Sequence, residues 1–305
     1  MDAGTPLQRG SPRLYLSRRM HALRAFSFPL SVLPVLVAAA AAAPLSEWRW
    51  GVLVGSMVAV ALLHGAGNLL NDYFDFRSGV DHGVEGDKGR PGRLLIRGEM
   101  SPGAVAREAA ACLVLAAPVV AYLVLSCGPG IVWAGAAALF CLYAYTGPPF
   151  RLKYRALGEP VIFLVFGPCL VIGAAQAQAG GWSWPAALLS LPVGTLTTAV
   201  LVGNNVRDAD EDAGAGVSTI AHRLGLRGAK LVYALCVLVP PLAVGGLVAA
   251  GALGVGGLLS LAALLPGVRL VSRVLRTGRV ADVDVRTARV ATLFFVALVV
   301  GMLIG

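Results

Sequence analysis

Apolar residues run along most of this chain in stretches the length of a bilayer crossing. A helix needs about 20 apolar residues, within a range of roughly 17–25, to span the hydrocarbon core. Nine such stretches lie roughly at 25–43, 51–70, 104–125, 130–147, 159–177, 184–205, 228–248, 251–268 and 287–304. Only a Gly-rich break around Gly251 parts the seventh from the eighth, so eight crossings is also open at this point. The pattern predicts an all-α polytopic membrane protein of about nine transmembrane helices. We expect one membrane domain over 25–305, preceded by a basic segment over 1–24. The apolar run after Arg24 has no signal-peptidase-like boundary before further crossings follow, so a cleaved signal is not expected.

The charges sharpen this count. With the N-terminal segment in the cytoplasm, all but one of the 25 Lys and Arg fall in cytoplasmic loops or helix ends, as the positive-inside rule requires. The exception is Arg49. A wrong number of crossings would scramble that sorting, which favours nine. Composition agrees: 57% of residues are hydrophobic and 13% charged, against about 25% charged in a soluble domain. Mean hydropathy is +0.76. A net charge of +9 would raise nucleic acid as a partner of a soluble protein; here topology accounts for it and no nucleic acid is expected. The implied surroundings are a lipid bilayer. Ala-, Arg- and Gly-rich usage is compatible with the cytoplasmic membrane of a high-GC bacterium. The five cysteines form no CxxC pair and have no His at metal spacing, and four sit in apolar runs as small hydrophobes.

Acidic residues gather in two of the cytoplasmic segments. One is "GNLLNDYFDFRSGVD", Gly67 to Asp81, and the other is "GNNVRDADEDAGAG", Gly203 to Gly216. Both open with Gly-Asn-x-x-x-Asp: Asn68 and Asp72 in the first, Asn204 and Asp208 in the second, 136 positions on. The offset of four predicted helices hints at a duplicated unit, a common device in membrane folds. At about 100° per residue, Asn68, Asp72 and Asp75 fall within an arc of roughly 60° on one helix face. Asn205, Asp208 and Asp212 do the same. Acids at a helix end are most often solvated turn residues. Three features weigh against that here. Asn68 and Asn204 lie inside apolar runs, where polar groups are costly. The acids share a face, and the pattern occurs twice. Two carboxylate faces with amide oxygens make a hard-oxygen site for a divalent cation. Mg²⁺ prefers a few carboxylates, retained waters and phosphate oxygens. With Arg and Lys nearby, the clusters point to a diphosphate held between Mg²⁺ ions.

The segment "YTGPPFRLKYRALGE", Tyr145 to Glu159, puts Arg151, Lys153 and Arg155 on the same cytoplasmic side. Pro148 and Pro149 bend it into a loop that can fold over the membrane mouth. Taken singly, each cation reads as positive-inside signal. Arg151 and Lys153 are the candidates for binding diphosphate oxygens. Arg77 and Arg207 lie inside the acid clusters and are expected to pair with acids. His64 shares the helix face of Asn68 and Asp72 and reads as a satisfied buried polar group.

At these residues the chain resembles the UbiA superfamily of membrane prenyltransferases. The signatures are "NDYFD" at Asn71–Asp75 with Asp81 beyond, and "NNVRDADEDAGAGVSTIAHRLG" at Asn204–Gly225. Within the superfamily it most resembles the MenA branch, the 1,4-dihydroxy-2-naphthoate polyprenyltransferases, through "LRAFSFPLSVLPVL" (Leu23–Leu36), "NDYFDFRSGVD", "YTGPPFRLKYRALGE" and "VFGPCLVIG" (Val165–Gly173). The resemblance covers most of the chain from Arg24 to Gly225. It implies nine helices around a central cavity that opens laterally to lipid beneath cytoplasmic loops. It also implies chemistry: Asn68, Asp72, Asp75, Asp208 and Asp212 would hold Mg²⁺ on a polyprenyl diphosphate, with Asn204, Arg151 and Lys153 toward the diphosphate. Leaving-group charge is stabilised there, an allylic cation forms and an electron-rich aromatic ring attacks it. In a MenA-type reaction the ring loses its carboxylate and demethylmenaquinone results. Arg24 matches an Arg of the family's N-terminal segment and would steer an anionic aromatic acid; Asp81 and Tyr145 complete the expected substrate residues. Two departures stand out. Five residues separate Asp75 from Asp81, whereas many relatives have the last acid three residues after the preceding Asp, and Val217 stands where relatives often carry Lys or Arg.

Other readings compete. Relatives of the same superfamily use 4-hydroxybenzoate, chlorophyllide, haem, homogentisate or glycerol phosphate lipids as acceptors. A CDP-alcohol phosphotransferase needs D-x-x-D-G-x-x-A-R, whereas Asp72-x-x-Asp75 is followed by Phe76 and Arg77. A cation transporter would place its acids near the bilayer midplane rather than at one border.

Overall fold

A computed structural model describes residues 19–20, 22–79, 95–209, 218–277 and 280–305. Among these, nine helices are long and apolar enough to cross a membrane, and the protein is a multi-pass membrane protein. They are α1 (Ala25–Ala42), α2 (Trp50–Ser78), α3 (Pro102–Cys127), α4 (Pro129–Thr146), α5 (Gly158–Ala179), α6 (Trp184–Arg207), α7 (Ile220–Ala249), α8 (Val255–Thr277) and α9 (Val283–Ile304). Gly251, at φ 70°, breaks the chain between α7 and α8 and decides for nine over eight.

Local chemistry sets the ends. Ser101 and Ser183 cap α3 and α6 by accepting from the Ala104 and Ala186 amides at 3.2 and 3.3 Å, with a proline in the first turn of each helix. Gly79, at φ 78°, closes α2. Two helices are longer than their apolar runs. α2 continues eight residues past the expected end near 70, because Asn71, Asp72 and Asp75 turn inward and are buried. α7 starts at Ile220 rather than near 228 and kinks at Gly225, at φ 68°.

α6 is the hub. It packs against α1, α5, α7 and α9, and Leu189, Val193, Leu196 and Val202 along it are fully buried. Small residues let backbones approach, the usual way helices associate where lipid is as apolar as the side chains. A Cβ on Gly167 of α5 would lie 2.6 Å from the Ser190 carbonyl oxygen, and one on Gly194 of α6 would lie 2.8 Å from that of Phe163. Pro168 falls within a π-helical stretch, Val165–Ile172, one of the irregularities by which a helix accommodates a residue with no N–H. α3 and α4, by contrast, expose Val114, Leu115, Leu125 and Phe140. The loop between α4 and α5 has a cis Pro148–Pro149 bond and a short 3₁₀ turn, Leu152–Tyr154, that aims Lys153 back at α2.

Candidate active site

A cavity of about 1030 Å³ is lined by α1 to α6, with Asp284 of α9 at one end. Most of its wall is apolar, from Val60, Leu63, Leu113, Leu139, Ile162 and Phe166. One end is polar. There the last turns of α2 and α6 and the first turns of α5 and α9 bring five carboxylates to one lining: Asp72, Asp75, Glu159, Asp208 and Asp284.

The α2 face is neutralised from a distance. Arg24 Nη2 donates to Asp72 Oδ1 at 2.6 Å. Lys153 Nζ donates to Asp75 Oδ2 at 2.5 Å and to Asn71 Oδ1 at 3.2 Å. The Tyr154 hydroxyl donates to the other oxygen of Asp75. Burial works against the Lys153 ammonium. The Asp75 carboxylate, with Tyr145 and Tyr154 beside it, outweighs burial and holds its pKa above the ordinary Lys value. Burial and the Asp75 charge together raise the Tyr154 phenol, so it stays a neutral donor.

A clamp from α2 fixes Arg24. Its backbone is left-handed (φ 52°, ψ 51°), which is rare for a non-glycine residue. Asn68 Nδ2 donates to the Leu23 carbonyl at 2.9 Å. Ser27 Oγ donates to the Arg24 carbonyl at 2.8 Å and also meets His64 Nε2 at 3.1 Å, while His64 Nδ1 meets Ser31 Oγ at 3.0 Å. His64, Asn68 and Asp72, one helical turn apart in series, therefore hold the turn before α1 against α2.

The α6 face is neutralised by its neighbour. Arg207 grips Asp208 with Nε at 2.7 Å and Nη2 at 2.9 Å, and its Nη1 reaches Asp284 of α9 at 3.2 Å. Asn205 Nδ2 donates to Glu159 Oε1 at 2.6 Å. Asn204 lines the cavity, and its buried side-chain amide oxygen, Oδ1, has no hydrogen-bond partner among the described residues.

Of the residues expected from sequence, Arg24, Asn68, Asp72, Asp75, Tyr145, Lys153, Asn204 and Asp208 all line this one cavity. Arg151 is exposed and lies outside its lining. Asp81 and Asp212 lie outside the described residues. Sequence reasoning gave no role to Asn71, Tyr154, Glu159 or Asp284. The acids Glu159 and Asp284 carried a signal, since each opens a long apolar helix; Tyr154 carried none.

The donor set suits a divalent cation of the Mg²⁺ type. Carboxylate oxygens come from two helix ends, and an unpaired buried amide oxygen from Asn204 faces the same space. Among the described residues no three His, Cys, Asp or Glu side chains are drawn together as a metal cluster. Arg24, Lys153 and Arg207 hold the acids instead.

The model of the UbiA prenyltransferase family matches residues 31–299. UbiA prenyltransferase domain-containing protein 1 of Gallus gallus is 32% identical over 244 residues, covering 78% of this chain and 72% of its own length. The protein of the same name from Danio rerio is 35% identical over 226 residues, covering 72% of this chain and 65% of its own. Among solved structures, a UbiA homolog from Archaeoglobus fulgidus bound to GPP and Mg²⁺ superposes with a TM-score of 0.68 at 14% identity, over 94% of this chain and 99% of that one. An apo UbiA homolog from Aeropyrum pernix K1 gives 0.63 at 21% identity, over 92% and 98%. These structural likenesses establish the all-helical fold. The animal relatives are named for the domain, and those names specify no acceptor.

Proposed function

The chain belongs to the UbiA prenyltransferase family, and from that premise we propose that it transfers a polyprenyl group from a polyprenyl diphosphate to 1,4-dihydroxy-2-naphthoate, giving the hydroquinone form of demethylmenaquinone. One observation carries the reading: a single cavity joins a long apolar wall to a polar end of charge-balanced acids. A prenyl diphosphate has the same two halves. Its tail fits the apolar wall and its charged head fits the acids.

Asp72, Asp75, Asp208 and Asp212, with the amide oxygens of Asn68 and Asn204, are the residues that would hold Mg²⁺. When bound, Mg²⁺ supplies positive charge to the diphosphate. The chain's own cations add to it. Arg24 and Lys153 neutralise Asp72 and Asp75 in the structure described here. When diphosphate occupies the site, they are placed to donate to its oxygens, where negative charge builds as the C–O bond breaks. Arg151 serves the approach to the site from outside the cavity. The apolar wall excludes water, which protects the allylic cation until the ring attacks. Tyr145, half-buried in the lining beside Gly158, borders the space where a ring would sit. Asp81, outside the described residues, is proposed as a further substrate residue. We place these residues on the cytoplasmic side of a bacterial cytoplasmic membrane, in keeping with the distribution of Lys and Arg.

The test is an assay of purified protein in detergent with labelled geranylgeranyl diphosphate, Mg²⁺ and a panel of acceptors. Dihydroxynaphthoate is expected to give a prenylated, decarboxylated product. Product from 4-hydroxybenzoate or another acceptor, with none from dihydroxynaphthoate, would move the protein to a different branch of the family. Ion flux in liposomes without diphosphate release would make it a transporter.

A further inference from the structure

Five carboxylates line the cavity, and four of them are held by a cation: Asp72 by Arg24, Asp75 by Lys153, and both Asp208 and Asp284 by Arg207. Glu159 is the exception. It is 8% exposed, and its partner among the described residues is a neutral amide, Asn205 Nδ2 at 2.6 Å on Oε1. A carboxylate buried in a membrane protein without a counter-ion is costly and marks a functional group by default. The first turn of α5 fixes it there. Gly158, just before it, lets Tyr145 pack close: a Cβ at Gly158 would lie 3.4 Å from the Tyr145 hydroxyl. Among the described residues, Asn204 Oδ1, Thr197 Oγ1 and Thr219 Oγ1 are buried without a hydrogen-bond partner, and all three residues line the same cavity. Together they offer acceptors and hydroxyls where the α2 face offers balanced charge.

We propose that Glu159 is the proton-accepting catalytic residue of the acceptor half of the site, binding a ring hydroxyl of the aromatic acceptor and taking its proton. The proposal rests on the prenyl-transfer reading above. The acid faces already paired to Arg and Lys are unsuited to the task, because their lone pairs are directed at cations. Glu159 has one oxygen oriented by Asn205, and among the described residues no hydrogen-bond partner is seen for the other. The step balances as follows. The hydroxyl proton passes to the Glu159 carboxylate, and the electron pair left on oxygen makes the ring carbon nucleophilic. That carbon bonds to the allylic carbon as the C–O bond to diphosphate breaks, and diphosphate leaves with its pair. Carbon dioxide departs from the attacked carbon, its bonding pair restores the aromatic ring, and Glu159 returns the proton to the ring oxygen. No external oxidant or base is consumed.

The test uses the full chain with geranylgeranyl diphosphate, Mg²⁺ and dihydroxynaphthoate. Glu159→Gln is expected to bind the diphosphate as wild type does but to transfer about 10²-fold or more slowly, the usual contribution of a positioned base. Its residual rate should climb about tenfold per pH unit as solvent begins to ionise the hydroxyl, a dependence wild type lacks. Glu159→Asp should recover part of the rate. Transfer by Glu159→Gln within threefold of wild type, or an unchanged pH profile, overturns the proposal. Loss of diphosphate binding in that variant also overturns it, by placing Glu159 with the metal-binding acids. Should the variant fail to insert, wild type is assayed with mono-O-methylated dihydroxynaphthoates. Normal turnover of every such ether overturns the proposal, and failure of the one blocked at the reacting hydroxyl supports it. If wild type transfers to no aromatic acceptor, the functional reading falls first, and the two failures are told apart.

Discussion

The ends of α2 and α6 carry the same Asn-x-x-x-Asp pattern yet are neutralised in opposite ways. Asp72 and Asp75 take cations from Arg24 and Lys153, which lie 48 and 78 residues away in sequence and reach in from separate turns. Asp208 takes its cation from the preceding residue, and Arg207 also holds Asp284 of α9. A cation on a turn can swing to a new anion at little cost to the helices. One that ties two helices together cannot. The α2 face is therefore built to exchange partners, and the α6 face to hold α6 and α9 in place.

That contrast can be broken by mutation. The largest effect is expected at the acids themselves: Asp72→Ala or Asp208→Ala should lower turnover by about 10³-fold, with the protein still inserted and monodisperse in detergent. Rates near wild type in either variant would remove it from the site. Next come the cations. Arg207→Ala removes the guanidinium that bridges Asp208 and Asp284 and should cost about 3 kcal/mol, read as a lower Tm in detergent. Lys153→Ala, at a more exposed pair, should cost about 1 kcal/mol and act mainly on the KM for diphosphate. Equal Tm losses would erase the distinction between the two faces. The smallest effect is in pH. Because the Lys153 pKa is raised in the folded state, its ion pair is fully present below the ordinary Lys value of 10.5 and is lost as pH rises through the folded value. The stability gap between wild type and Lys153→Met should thus stay flat between about pH 7 and 9 and narrow only under more alkaline conditions.

Much of this was readable from the chain. Nine crossings show in apolar runs because lipid-facing and core-facing residues are both apolar, and the acid faces show because carboxylates stand out against them. The ends of the runs misled where a helix kept going with its polar side turned inward, as α2 does through Asn71, Asp72 and Asp75. Periodicity reports apolar surface, so it falls silent there while the hydrogen-bond ladder does not. Pairing was also hidden. Nothing local in sequence joins Arg24 to Asp72 or Glu159 to Asn205; those contacts depend on how α1, α2, α5 and α6 pack. Asn68 illustrates the same limit. Its helix face was legible, but its amide nitrogen proves to be spent on the Leu23 carbonyl.

The clamp on Arg24 also matters for the order in which the site is made. Arg24, in the turn before α1, and His64, Asn68 and Asp72, in α2, are synthesised before the other half of the site, and Asn204 follows Asn68 by 136 residues. At about 5–20 residues per second, that is a wait of roughly 7–27 s. For the first part of that interval α2 must sit in the membrane with carboxylates in its last turns, before Lys153, 85 residues after Asn68, has been synthesised. Arg24 is the counter-ion already on hand, so the half-finished protein carries its own neutralising charge while the other half of the site is still being translated.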